Sequence, residues 1–212
     1  HDALDSALNS NKINEFAGQF LVPISDNASE LSNKDVIVFN RIKDGPIPMS
    51  EAISSRVDLG SISRLLERGI IMHSALTPSD ASHVLGNLDA WDASAAQKAL
   101  LIFGRMRTGS GEILSKDYQE LALRIINQLT EQTSEVILET AFGEENIDGR
   151  ARDLARHVLV KNGLNHHRNI VSLDVAINLP IIGLGASAKT YYGEVGKKLS
   201  TKTILPKHGG VA

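Results

Sequence analysis

Between residues 61 and 164 the sequence is punctuated like a series of short helices, and that punctuation leaves few folds open. "SISRLLERG" puts Ile62, Leu65 and Leu66 on one helical face and ends on Gly69, a residue suited to the left-handed position that closes a helix. "IIMHSA" follows as a short strand-like connector. Thr77 then supplies an N-cap hydroxyl, Pro78 occupies the first helical position and Asp80 the third, a capping-box arrangement. That helix is expected to run to Leu85 and stop at Gly86. Asp92 caps "ASAAQKALLIFGRMR", and Ser115 opens a long segment in which Leu121, Ile125 and Leu129 form an apolar stripe. "GRARDLARHVLVKNG" reads as one more helix closed by a glycine.

The flanks have another texture. Residues 1–34 are polar and rich in Asn and Ser around one apolar stretch, "FAGQFLVPI". The β-branched run "DVIVFNRI" (35–42) predicts a strand, and "KDGPIPMSEA" a Pro/Gly turn. After the loop "LNHHRN", the runs "IVSLDVAI" and "LPIIGLG" predict buried strands. "ASAKTYYGEVGKKLS" predicts a helix and "TKTILP" a last strand. The expected organisation is an entry segment (1–60), a mainly helical region (61–164) and an α/β end (165–212). The fold class is therefore mixed α and β, and helix-rich.

Composition excludes more than it selects. The 212 residues carry no cysteine, which removes disulfide scaffolds and thiolate chemistry and fits a cytoplasmic protein. A net charge of −3 advertises no nucleic-acid or anionic-membrane partner. No apolar run approaches the ~18 residues of a membrane helix, and no signal peptide opens the chain. The chain starts at His1 and stops after "LPKHGGVA", which reads as a piece of a longer polypeptide.

Each candidate motif has a plainer reading. "GLGAS" (183–187) lies between an apolar run and a helix, where glycines let backbone N–H groups approach an anion or a nucleotide. It is not G-x-G-x-x-G, because Ala188 stands three places after Gly185, and no acid follows at dinucleotide-fold spacing. A tight turn explains it as well. Asp80 and His83 share a helix face and could serve a metal, but no third ligand stands at a recognisable spacing. A capping aspartate and a helix histidine reaching a carbonyl account for the same pair. In "NHHRN" (165–169), His166, His167 and Arg168 could meet a phosphate, although adjacent side chains diverge and a solvated connector suffices. No G-x-S-x-G or serviceable S-x-x-K is present, so no catalytic residue is assigned. The helix after Thr77 has no Lys or Arg, which counts against a DNA-reading role.

Three blocks together resemble the hydantoinase/oxoprolinase family, specifically its ATP-dependent A-type (N-methylhydantoinase A-like) subunit. They are "LLERGIIMHSALTPSDASHVLGNLDAWDASAA" (65–96), "LPIIGLGASAKTYYGEVGKKL" (179–199) and "TILPKHGGVA" (203–212). The resemblance implies a ribonuclease-H-like fold of the sugar kinase/Hsp70/actin (ASKHA) kind, closing around ATP with Mg²⁺. It implies opening of a cyclic amide such as 5-oxoproline or a hydantoin, activated by phosphorylation of the amide oxygen. Gly183, Gly185, Ala186 and Ser187 then fall on the adenosine side of the nucleotide. The remainder of the chain and a B-type subunit are the implied partners.

The family's D-x-G-G-T-like phosphate hairpins are missing; the only Gly–Gly pair is Gly209–Gly210. By itself the chain is then expected to turn over neither ATP nor a lactam, and to need neither cofactor. Two alternatives stay open: a non-catalytic ASKHA-like interaction module, and a subunit of a related ATP-dependent ketone carboxylase.

Overall fold

The computed structural model describes residues 1–10, 15–25, 31–147 and 149–211. The chain is mixed α/β and helix-rich, with small sheets. It divides into two compact units, His1–Leu85 with Asp89–Ala122, and Gly86–Leu88 with Leu123–Ala212. No described helix is long and apolar enough to cross a membrane.

The first unit begins with α1 (Asp2–Asn9), β1 (Gln19–Pro23) and α2 (Asn33–Ile42). A two-residue strand β2 (Ile47–Pro48) and a single turn of helix α3 (Met49–Ala52) come next. Then follow α4 (Arg56–Glu67), β3 (Ile71–Ala75), α5 (Pro78–Val84) and α6 (Ala93–Gly104). The three strands form an antiparallel sheet in the order β2-β1-β3, with Leu21 opposite both Ile47 and His73. Leu21, Val38, Phe39, Ile42, Ile62 and Leu65 make the core beneath it, each at most 4% exposed.

The strand predicted at 35–42 is a helix. Its buried positions are Asp35, Val38, Phe39 and Ile42, a spacing of three, four and seven that only a helix puts on one face. Ser32 caps it, its hydroxyl accepting the Asp35 amide at 3.3 Å. The β-branched composition is overridden by this cap and by burial. Likewise α4 starts at Arg56, not near Ser61, because Ser55 and Asp58 form a capping box. Its far end agrees with expectation. Gly69 has φ +64°, and the amides of Gly69 and Ile70 bond the carbonyls of Leu66 and Leu65, a Schellman closure. The "KDGPIPMSEA" turn contains both β2 and α3.

Two opposed ion pairs join α2 to α4. Arg64 Nη2 lies 2.6 Å from Asp35 Oδ1, and its Nε bonds the same carboxylate. In the other direction Arg41 Nη1 lies 2.9 Å from Asp58 Oδ2 and also bonds the Ala52 carbonyl at 2.8 Å. Each aspartate sits in the first turn of one helix and each arginine late in the other, so the helices run antiparallel and each charge suits its helix dipole. Arg64, opposed in part by burial and helped by the Ser32 and Ser61 hydroxyls, holds the Asp35 carboxyl far below the ordinary carboxylate range. Arg41 and the Ser54 and Ser55 amides lower Asp58 in the same sense.

The second unit holds most of α7 (Tyr118–Glu144), whose first turn Asp117 caps by accepting the amides of Gln119 and Glu120. Its buried row is Ala122, Ile126, Thr130, Ser134 and Leu138, one step round from the expected stripe; Leu121 is buried, while Ile125 and Leu129 are half-buried. Thr130 and Ser134 enter the row because their hydroxyls donate to the Ile126 and Thr130 carbonyls at 2.9 and 2.8 Å. The single helix predicted for 149–163 is two, α8 (Ala151–Ala155) and α9 (Val158–Leu164), interrupted where the His157 ring accepts the Leu159 amide. Gly163 does not close α9 but lies within it. A Cβ there would come within 2.6 Å of Val175 Cγ2.

The predicted strand 170–177 does not form. An isolated bridge between Arg168 and Ser172 folds its start into a tight loop with Ile170 99% exposed, while Val175 and Ile177 pack on the core of this unit. Of "LPIIGLG" and "TKTILP" only β4 (Ile181–Ile182) and β5 (Thr203–Ile204) are strands, paired in parallel and joined by α10 (Ala188–Lys198). The expected β-β-α-β end is thus a minimal β-α-β.

Two predictions follow from this packing. Because the Asp35 carboxyl ionises far below its free value of 3.8, its stabilising effect is complete above that value and is lost as acid protonates it. Urea midpoints should fall between about pH 5 and pH 2, and Asp35→Asn should both lower the neutral-pH midpoint and flatten the fall. In α10, a Cβ at Gly196 would meet Thr203 Oγ1 at 2.1 Å, whereas Gly193 has nothing within 4 Å. Gly196→Ala should therefore destabilise by about 1–3 kcal/mol and Gly193→Ala stabilise by about 0.5–1 kcal/mol in chemical denaturation.

Candidate functional site

The Gly183–Ser187 turn leaves β4 and enters α10. In small α/β units this is the end of the strands where ligands collect, because loops after parallel strands converge there with a helix N-terminus. Local chemistry explains the turn. The Gly183 amide continues the ladder to the Ile204 carbonyl at 2.9 Å. Gly185 has φ +99°, which no side chain adopts comfortably, and its amide donates to the Gly209 carbonyl at 2.7 Å. The loop after β5 is thereby tied to the loop after β4. Ser187 holds the N-cap position without a side-chain cap bond, and the Ala188 amide bonds back to Gly185.

The glycines are needed by the protein itself. A Cβ at Gly183 would lie 2.7 Å from Leu205 Cδ2 and 3.3 Å from Tyr192 Cγ. A Cβ at Gly209 would likewise lie 3.3 Å from the Gly183 carbonyl oxygen. Ala186 is exposed, and neither its amide nor that of Ser187 is spent on the protein among the described residues. The rings of Tyr191 and Tyr192 in α10 lie 4.8 Å apart at a 46° tilt, and burial followed by Tyr192 raises the Tyr191 hydroxyl's pKa. The pairing of this turn with Leu205, Tyr192 and Gly209 escaped sequence reasoning, for which Gly209–Gly210 was the one available signal.

The other candidates separate. Asp80 Oδ2 accepts both the Thr77 amide and the Thr77 hydroxyl at 2.7 Å, which is capping. His83 does not reach a carbonyl as expected. It is 5% exposed, neither ring nitrogen has a partner among the described residues, and its ring lies 5.5 Å from that of Trp91. Among the described residues no three His, Asp or Glu side chains gather as a metal would require. In "NHHRN" the side chains diverge. His166, at φ +52°, has its Nε2 3.2 Å from the Lys197 carbonyl, and Arg168 pairs with Asp174. His167 instead borders a hollow of about 240 Å³ with Leu159, Asn162 and Ile170.

Comparison with family models, with curated proteins and with solved structures yields no match. Function therefore has to be argued from the residues. Asp80→Ala should cost about 1 kcal/mol in thermal or urea unfolding, the value of a helix cap. Loss of a bound metal on that substitution, read by elemental analysis, would contradict the capping assignment.

Proposed function

We propose that these residues belong to an ATP-dependent cyclic-amide hydrolase of the hydantoinase/oxoprolinase kind, with a ribonuclease-H-like fold of the sugar kinase/Hsp70/actin type. In this reading Gly183, Gly185, Ala186 and Ser187 border the adenosine of ATP, and the substrate is a lactam such as 5-oxoproline or a hydantoin. The observation that carries it is the turn between a parallel strand and α10, with the unspent Ala186 and Ser187 amides beside the α10 N-terminus. The three blocks of resemblance support it independently.

The fit to the nucleotide is partial. The turn can border a flat, weakly polar group, since Ala186 is exposed and the neighbouring Gly185 has open space where a side chain would stand. A phosphate cradle is a different demand, and the Gly185 amide that such a cradle would use is already bonded to Gly209. No metal-holding cluster occurs among the described residues. Because the sequence lacks the D-x-G-G-T-like phosphate hairpins of that family, this reading assigns Mg²⁺ and the terminal phosphates to residues outside these 212, and the chain by itself to a supporting part without turnover. ATP, when bound, would supply the phosphoryl group that, placed on the amide oxygen, turns the amide carbon from a poor electrophile into a good one. The role of this chain is to seat the base and ribose, with a B-type subunit as the partner.

The test is calorimetric titration of ADP into the complete gene product and into its Ala186→Glu variant. A carboxylate on this exposed turn adds no clash with the protein, so the melting temperature should hold while ADP affinity falls by about tenfold or more, the scale of one lost or opposed polar contact. Equal affinity in both proteins, or none in the parent, overturns the reading.

A further inference from the structure

A second hollow has no part in that reading. It lies in the first unit and measures about 670 Å³, within the range of small-ligand sites. Leu4 of α1, Phe20 and Val22 of β1, and Ala96 of α6 give it apolar walls. Its charge is mainly negative: Asp2, Asp44, Asp80 and Asp92 line it, no lysine or arginine does, and His1 is the one lining residue able to carry positive charge. The chain's single tryptophan, Trp91, stands at this hollow 67% exposed.

The carboxylates differ in what they have left to offer. Asp80 is spent on Thr77, and Asp92 on the amides of Ser94 and Ala95 and on the His1 ring. Asp2 and Asp44 engage no hydrogen bond or ion pair among the described residues. Behind Trp91 sits His83, nine-tenths buried and with both ring nitrogens unpartnered, its plane tilted 33° from the indole. The indole is thus supported on a ring that offers it stacking and no polar anchor, and the rest of it faces solvent.

Free carboxylates and an exposed indole on one hollow attract positive charge, since the indole face carries negative quadrupole and the carboxylates add a full charge. A metal ion is a poor match, because no three ligating side chains converge among the described residues. An anion would meet four carboxylates, and His1, the one lining residue able to carry positive charge, already has its ring on Asp92. The apolar walls ask for a hydrocarbon stem. We propose that this hollow binds a small organic cation, an alkylammonium or alkylguanidinium, its charged head taken by Trp91 and the Asp2 and Asp44 carboxylates and its stem covering Leu4 and Phe20.

Trp91 is also the probe. Agmatine and putrescine are titrated into the 212-residue chain while its fluorescence is followed, with 1,4-butanediol as the neutral analogue of putrescine. The amines should produce a saturable change that the diol does not, and ~0.5 M salt should weaken it by screening the carboxylates. Asp44→Asn should weaken binding about threefold, the scale of one exposed charge pair. Trp91→Leu, followed by calorimetry, should weaken it further, with circular dichroism unchanged in both variants. A diol response equal to that of the amines, or no saturable response to either amine, overturns the proposal. So does unaltered affinity in both variants, or binding of a lysine-bearing peptide where the free amines do not bind.

Discussion

The arginine–aspartate exchange between α2 and α4 fixes the first unit. Each aspartate does two jobs with one carboxylate. Asp35 accepts a hydroxyl donated from its own N-cap Ser32 while holding Arg64, and Asp58 receives the Ser54 and Ser55 amides while holding Arg41. A helix start and an interhelical contact are thus the same interaction, and neither helix can slide or reverse without losing a cap. With α2 and α4 fixed antiparallel, Val38, Phe39, Ile42, Ile62 and Leu65 meet in one core. The Schellman closure at Gly69 then turns the chain directly into β3, which pairs with β1 over five residues.

The same device was legible in the sequence once and overlooked twice. "TPSD" at 77–80 declared its capping box because Pro78 and a clean apolar period accompanied it. "SNKD" at 32–35 and "SRVD" at 55–58 have the identical Ser/Thr-x-x-Asp spacing, yet a β-branched run after the first and Gly60 soon after the second masked them. Composition argued for a strand at 35–42 where spacing argued for a helix. Spacing won because burial acts on faces, and composition says nothing about faces.

The second unit was less legible for another reason. Apolar runs such as "IVSLDVAI" satisfy the composition of a buried strand, but a strand requires a neighbour, and the sequence cannot supply one locally. Only two residues of each later run find a partner, Ile181 with Thr203 and Ile182 with Ile204. The glycines misled in a related way. Gly163 reads as a helix stop and Gly196 gives no signal at all, whereas both are places where a neighbouring side chain or backbone fills the space of a Cβ. Close approach is a property of two segments distant in sequence, so no local rule detects it.

That distinction also separates the two candidate sites. The 183–187 turn was visible because its glycines, strand and helix are consecutive in sequence, and local geometry then accounts for nearly everything seen there. The ladder and the Gly209 carbonyl use two of its amides, and packing uses Gly183. A feature fully explained by folding gives weak grounds for chemistry, so the weight falls on what folding leaves unexplained: the exposed Ala186 and the two amides beside it. By the same standard, Asp80 loses its claim and its neighbours gain one. Capping consumes its carboxylate, while His83 keeps two unpartnered nitrogens and Trp91 an open indole. Burying an imidazole without hydrogen bonds works against stability, and stacking on Trp91 offsets only part of that. The carboxylates that complete this surface come from α1 and from the turn after α2, elements far apart in the chain that only the fold brings to one hollow.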